Sequence, residues 1–252
     1  MSVAWPRPYW RDSGTQAFVQ WFVFGEFEDE LHVDAPRYRT RGTPAGVEVA
    51  RYVHDAIRSW NGYPLGGSMG TLFGNEDAAL FARASRAREC LMLRGSLADP
   101  PDLDYLRDLV GTITGLVDLG GVAVCDPQML SLFGPIEWSN RFFSGGGFDA
   151  RNHVAILSHD DENARSRLHI HTRGLRKFAR PDISIRNVPA PLAGHAGQLA
   201  QRFVEFQALG GIVEEGREIA VEGLPQKIHA RHGGTLEDPR FANVHVEMRW
   251  PD

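Results

Sequence analysis

The strand expected over residues 167–172 reads Arg-Leu-His-Ile-His-Thr, with Arg173 directly after it, so apolar and basic side chains alternate. Side chains point to opposite faces along a strand, and burying Leu168 and Ile170 on one face sends their neighbours to the other together. The strand expected over 153–158 has Val154 and Ile156 as its better apolar set. If the two form a hairpin, the even-numbered residues are inside, and His153, His159, Arg167, His169, His171 and Arg173 share the opposite side. The same reading buries Ile183 and Ile185 in 182–188 and turns Ser184 and Arg186 out. In 227–231 it buries Ile228 and Ala230 and turns out His229 and Arg231. In 243–250 it buries Val244, Val246, Met248 and Trp250 and turns out Asn243, His245, Glu247 and Arg249.

The rest of the chain divides by the same local signals. Residues 17–24 are apolar, aromatic and β-branched, as in a buried strand. Val49, Tyr52, Val53, Ala56, Ile57 and Trp60 recur at helical spacing, Gly62 to Gly74 holds five glycines and Pro64 and reads as a loop, and Asn75 opens a second helix. Cys90 to Leu93 is a short strand. Asp102 can cap a helix bearing Leu103, Leu106, Leu109, Val110, Ile113, Leu116 and Val117, which Gly120-Gly121 ends before a strand at Val122 to Cys125. A further helix from about Pro191 and a strand at about 217–222 complete the second half. Strands alternate with helices in part and cluster in part. The expected class is therefore α+β: antiparallel or mixed sheets with helices packed on one side, and a ferredoxin-like arrangement in one or both halves. Ser144-Gly145-Gly146-Gly147 marks a hinge between halves at 1–143 and 148–252, which can also form one compact domain.

Three readings compete for the side rich in His and Arg. It can be the solvated side of a half-covered sheet. It can be a surface for a protein partner or a small anionic ligand, with Arg167, Arg173, Arg176, His229, Arg231 and His245 as the contact residues. Or it can be a metal site. His169 and His171 stand about 7 Å apart on one side of a strand and bracket an ion if their rings tilt inward, with His153 as third ligand and His159, Asp160 and Asp161 as further donors. No GxSxG, HExxH, Walker loop or Cys/His finger accompanies them.

Composition narrows the setting. The 252 residues carry 27 basic and 32 acidic side chains, a net charge of -5, which argues against a general nucleic-acid binder. Arg173, Arg176, Lys177 and Arg180 gather around Leu175 and Phe178 in a segment expected to be a surface loop. Cys90 and Cys125 lie in apolar stretches and read as buried thiols in a reducing compartment. With no apolar run suited to a signal peptide or a membrane span, the expected location is cytoplasmic.

The segments His171-Thr-Arg-Gly-Leu-Arg-Lys-Phe-Ala-Arg-Pro-Asp-Ile-Ser-Ile185 and Gly233-Gly-Thr-Leu-Glu-Asp-Pro-Arg-Phe-Ala-Asn-Val-His-Val-Glu247 resemble parts of uncharacterised bacterial cytosolic proteins, in domains of unknown function found in proteobacteria. The resemblance covers roughly the last 100 residues and the strand–helix–strand at 90–126. It implies a bacterial cytosolic source and carries over no activity. Some such proteins are neighbours or neutralisers of secreted toxins. Two functions follow as expectations. The first is a soluble binding protein, of immunity or accessory type, that needs no cofactor; Trp5, Trp10, Trp60 and Trp138 are its expected exposed aromatics. The alternative is a hydrolase using a divalent metal such as zinc on a phosphate or carboxylate substrate, with His169 and His171 as ligands and Arg173 holding the anion.

Overall fold

The run Ala-Phe-Val-Gln-Trp-Phe-Val-Phe does form a strand, and its side chains are buried on both sides, which decides the architecture around it. A computed structural model of the chain describes residues 4–221 and 226–251. It comprises two compact units, Met1–Pro6 with Phe18–Phe148, and Arg7–Ala17 with Asp149–Asp252. The change of unit after Phe148 follows the glycine run 144–147. The first half is not continuous, because Arg7–Ala17 packs with the second unit. Among the described residues no helix is long and apolar enough to cross a membrane.

The first unit contains β1 (Gln16–Gly25), β2 (Val47–Val53), α1 (His54–Ile57), α2 (Gly67–Glu76), α3 (Ala78–Arg86), β3 (Glu89–Ala98), α4 (Asp104–Asp118), β4 (Gly121–Asp126), β5 (Ser131–Phe133) and α5 (Pro135–Trp138). Its sheet has the order β2-β3-β1-β4-β5. Phe22, Phe24, Ala123 and Cys125 pack with Phe73, Leu80 and Ala84 of α2 and α3. Val23 points the other way, toward α4, where Gly121 leaves the room: a Cβ there would lie 2.9 Å from Val23 Cγ1 and 2.8 Å from Val117 Cα. Helices thus cover both faces, not one, because a strand with consecutive buried residues needs cover on each side.

The strand–helix–strand unit β3–α4–β4 stands where its boundary residues place it. The N-cap position of α4 is Leu103, one residue after the Asp102 expected there; Asp102 Oδ1 accepts the Asp104 backbone N–H at 3.0 Å from just before the cap. Three other expectations fail. Val49–Trp60 is not an amphipathic helix: residues 47–53 pair with β3 through seven consecutive partners, and only His54–Ile57 turns helical. Valines and tyrosine suit either state, and the backbone hydrogen bonds to β3 decide it. The glycine-rich loop at 62–74 is helical from Gly67. Gly70 is needed there, since a Cβ would sit 2.2 Å from the Leu65 carbonyl oxygen. The next helix starts after Asp77, whose carboxylate accepts from Leu80 N at 2.8 Å, and not at Asn75.

The second unit contains β6 (Ala155–Asp160), β7 (Arg167–Arg173), β8 (Asp182–Pro189), α6 (Ala193–Ala208), β9 (Glu218–Ile219), β10 (Ile228–His229), β11 (Arg231–Gly233) and β12 (His245–Arg249). Part of the strand expected at 217–222 lies outside the described residues. The sheet has the order β11-β12-β8-β7-β6; β8 and β12 are parallel and the other pairs antiparallel. β9 and β10 form a separate ribbon. α6 packs on β7 and β8 through a stripe that includes Ala196, Ala200 and Val204. The class is α+β with antiparallel and mixed sheets. Among the described residues neither unit runs β-α-β-β-α-β, so the ferredoxin-like arrangement is not adopted; β6, β7 and β8 follow one another with no α-helix between them and only a short 3-10 helix, Leu175–Phe178, before β8.

In the first unit His54 is buried beside Phe24, with Nδ1 2.7 Å from the Ala87 carbonyl oxygen and Nε2 2.6 Å from the Tyr63 hydroxyl. A carbonyl only accepts, so Nδ1 carries the hydrogen and Nε2 takes the Tyr63 proton. Burial, the largest cause, holds the imidazole below its ordinary pKa. A folded pKa beneath the unfolded value of about 6.5 gives stability that is complete above that pH and lost as pH falls through the folded pKa. Tyr63→Phe is expected to cost about 1 kcal/mol at pH 7, read by denaturant unfolding. A Tyr63→Phe chain as stable as the wild type would refute this pairing.

Candidate metal centre

The register of the second sheet follows the alternation of its sequence. His159 pairs with His169 and Leu157 with His171 across β6 and β7; His171 faces Ser184 on β8, and Ser184 faces Glu247 on β12. The odd residues of β6, β7 and β12 therefore share one side with Ser184 and Arg186 of β8, and beyond a register shift in β8 Val188 falls on the side of Leu168. On the opposite side Ile170, Ile183, Ile185, Val246 and Met248 are buried. Ile156, expected inside, is 39% exposed, because β6 is the edge strand and α6 covers chiefly β7 and β8. Val244 is exposed too, as it precedes β12 and does not belong to it.

The His and Arg side is not solvated. His169 is fully buried, His171 is 4% exposed and Arg173 7%. Their cover is the connection between β11 and β12, residues 234–244. It starts at Gly234, whose φ of +76° suits glycine and whose Cβ position lies 2.6 Å from His245 Nδ1. Phe241 is buried, with ring centroids 5.3 Å from His171 and 4.3 Å from His245. Arg173 Nη1 donates to the Pro239 and Arg240 carbonyls at 3.1 and 2.5 Å, and Arg176 donates to the Ala242 carbonyl at 3.2 Å. The strap is thus tied from beneath by guanidinium groups.

Under it, His159, His169 and His171 each offer a ring nitrogen, all within 4.8 Å of one another. His169 Nδ1 lies 3.2 Å from His159 Nε2, and His169 Nε2 lies 2.8 Å from Ser184 Oγ. Arg240 Nη1 approaches His169 Nδ1 at 3.5 Å. A guanidinium only donates, so Nδ1 presents its lone pair and Nε2–H is directed at Ser184. His171 Nδ1 is buried with no hydrogen-bond partner among the described residues. Burial, aided by Arg186, His171, His159 and Arg240, pushes the His169 pKa down to about 2. Burial, then His159 and Arg240, pushes His171 down to about 3. His159 is lowered by burial first and Arg240 second. At neutral pH His169 and His171 are therefore uncharged, the form in which imidazole binds metal.

The other residues singled out from the sequence fall elsewhere. His153 lies before β6, beside Phe178, and its carbonyl accepts from Lys177 Nζ at 2.9 Å; it is not in the converging group, because β6 begins only at Ala155. Asp160 is exposed, and Asp161 is occupied by Arg186 Nη1 and the backbone of Asn163 and Asn187. Arg167 is half-buried at the start of β7. His229 is exposed in the β9–β10 ribbon and Arg231 is exposed in β11. His245 is half-buried against Phe241. Arg173 is committed to strap carbonyls and is not placed to hold an anion. The basic segment is not a surface loop: Lys177 and Arg180 are buried, and Arg180 donates to the carbonyls of Arg11, Ala179, Gly210 and Gly211.

Ser184, Phe241 and Arg240 complete the surroundings. Ser184 was legible as a neighbour from strand parity, whereas Phe241 and Arg240 sit in a stretch with no periodic signal. The tie between Arg173 and the strap has a direct consequence: Arg173→Met is expected to speed amide hydrogen exchange across 235–243 about tenfold while β7 and β8 keep their protection. Unchanged exchange in the strap would show that Arg173 does not hold it. Comparison with protein-family models, curated proteins and solved structures finds no match to this chain.

Proposed function

We propose that the second unit holds a divalent metal ion through His159, His169 and His171 and uses it for hydrolysis. The observation that carries this reading is the convergence of three ring nitrogens within 4.8 Å on a buried face, where His169 and His171 are held neutral. Two imidazoles on tetrahedral zinc at about 2.1 Å stand about 3.4 Å apart, and His169 Nδ1 and His159 Nε2 are 3.2 Å apart already. Ser184 supports the arrangement by accepting the other ring N–H of His169, which fixes the tautomer and ring orientation as outer partners of ligating histidines do. The three nitrogens bring no charge, so a bound zinc keeps its full positive charge, and three protein ligands leave a position for water. An ion of this kind lowers the pKa of bound water to about 7 and supplies hydroxide at neutral pH.

Zinc titration of the full chain, read by calorimetry and by elemental analysis after desalting, is expected to give one ion per chain. His169→Ala with His171→Ala removes binding, and His159→Gln, at a half-buried position that leaves the fold intact, weakens it about a hundredfold. A saturating ion raises the unfolding free energy by about 2.7 kcal/mol at a hundred times its Kd. No retained ion after titration with zinc, cobalt, manganese or iron would overturn the reading.

The reading as a binding protein of immunity type in a bacterial cytosol rests on exposed aromatics and a basic surface. Trp5 and Trp138 are buried and Arg173 and Arg176 are engaged, which leaves Trp10, Trp60, His229 and Arg231, with the half-buried Arg167 and His245, as its support. A partner captured by the wild type and lost on Arg231→Glu would favour it over the metal reading.

A further inference from the structure

We infer that Arg240 is the anion-binding residue of this site, and that the group it receives is an oxyanion, a phosphate or carboxylate bridging the metal ion and the guanidinium. The inference rests on the three-histidine reading and extends it to a substrate class.

Three arginines bear on the imidazoles electrostatically: Arg173, Arg186 and Arg240. Their commitments differ. Arg173 donates to two strap carbonyls and anchors the cover. Arg186 is held between two carboxylates, Asp161 at 3.2 Å and Glu247 at 2.8 Å. Arg240 has one carboxylate, Glu162, at 2.6 Å, and that side chain is 66% exposed. An ion pair with so exposed a partner contributes little and exchanges readily. The other end of the same guanidinium is 3.5 Å from His169 Nδ1, on the lone-pair side where an ion would bind.

A cation at His169 Nδ1 and a guanidinium 3.5 Å from that nitrogen repel each other, which turns the Arg240 side chain away from the ring. Its backbone stays in place, because Arg173 holds the carbonyl of residue 240 and the Asp238 carboxylate accepts its N–H at 2.8 Å. The guanidinium therefore remains within reach of the ion's open side with Glu162 as its only carboxylate partner among the described residues. Two positive centres held together without a bridging anion are unfavourable; an oxyanion placed between them neutralises both and accepts two parallel N–H bonds from the fork. Glu162 supplies this charge when no other anion is present and is the competitor that an incoming anion displaces.

The test uses the full chain loaded with Co²⁺, whose visible absorption reports its ligands. Inorganic phosphate and acetate are titrated separately, so that a tetrahedral and a planar oxyanion are distinguished. Saturable spectral change with at least one of them is expected. Arg240→Gln weakens that anion about tenfold, while Co²⁺ itself binds as tightly or tighter, because a neighbouring positive charge has gone. A residue with a merely structural role would weaken both. Glu162→Gln tightens the anion severalfold by removing its competitor. An anion affinity unchanged in Arg240→Gln, or no spectral response to either anion, overturns this inference and leaves the metal reading standing. Failure of the wild type to take up Co²⁺ overturns both.

Discussion

The second unit depends on the burial of two neutral imidazoles on the side of a sheet that its sequence pattern leaves polar. Leu168 and Ile170 cannot face α6 without sending His169 and His171 the other way, and polar groups taken out of water need partners there. The unit meets that requirement with a cover instead of solvent. Phe241 lies over the rings, Ser184 takes one ring N–H, and Arg173 ties the covering backbone down. The desolvation that makes the histidines costly to bury also keeps them uncharged, and uncharged nitrogens at this spacing are metal donors.

Arginine has a second use here that composition alone does not reveal. Arg7, Arg173, Arg176 and Arg180 donate to main-chain carbonyls in irregular segments, Arg7 to Ala208 and Phe178 among them. Such segments lack ladder partners, and a planar fork of five donors can satisfy several carbonyls at once. Lysine, with one compact ammonium, cannot span Gly210, Gly211 and Arg11 as Arg180 does. The basic stretch 173–180, which looks like a patch for a partner, thus serves as internal bracing.

Legibility varied with the range of the signal. β3–α4–β4 was readable because Asp102, the apolar stripe and the closing glycines are local. The pairing side of His159, His169, His171, Ser184 and Glu247 was readable because strand parity is local too. Val49–Trp60 was not, since its backbone partners lie some forty residues away on β3. Nor was the helix at Gly67, where Gly70 serves a close approach to Leu65 against its own low helix propensity. His153 was grouped with the wrong histidines because the start of β6 was placed two residues early.

Sequence alone determined that the imidazoles at 169 and 171 share a face, since alternation in a strand is a property of the backbone. It also determined the class, because runs of strands and interspersed helical stripes admit little else. Tertiary structure decided whether that face met water. The strap from Gly234 to Val244 has neither period nor motif, and its course is set by contacts with Arg173, Arg176 and the rings themselves. A pattern can say which way a side chain points, but what lies over it depends on residues distant in the chain, and that cover turned a polar sheet face into a cluster of three donors, His169 and His171 buried and His159 half-buried.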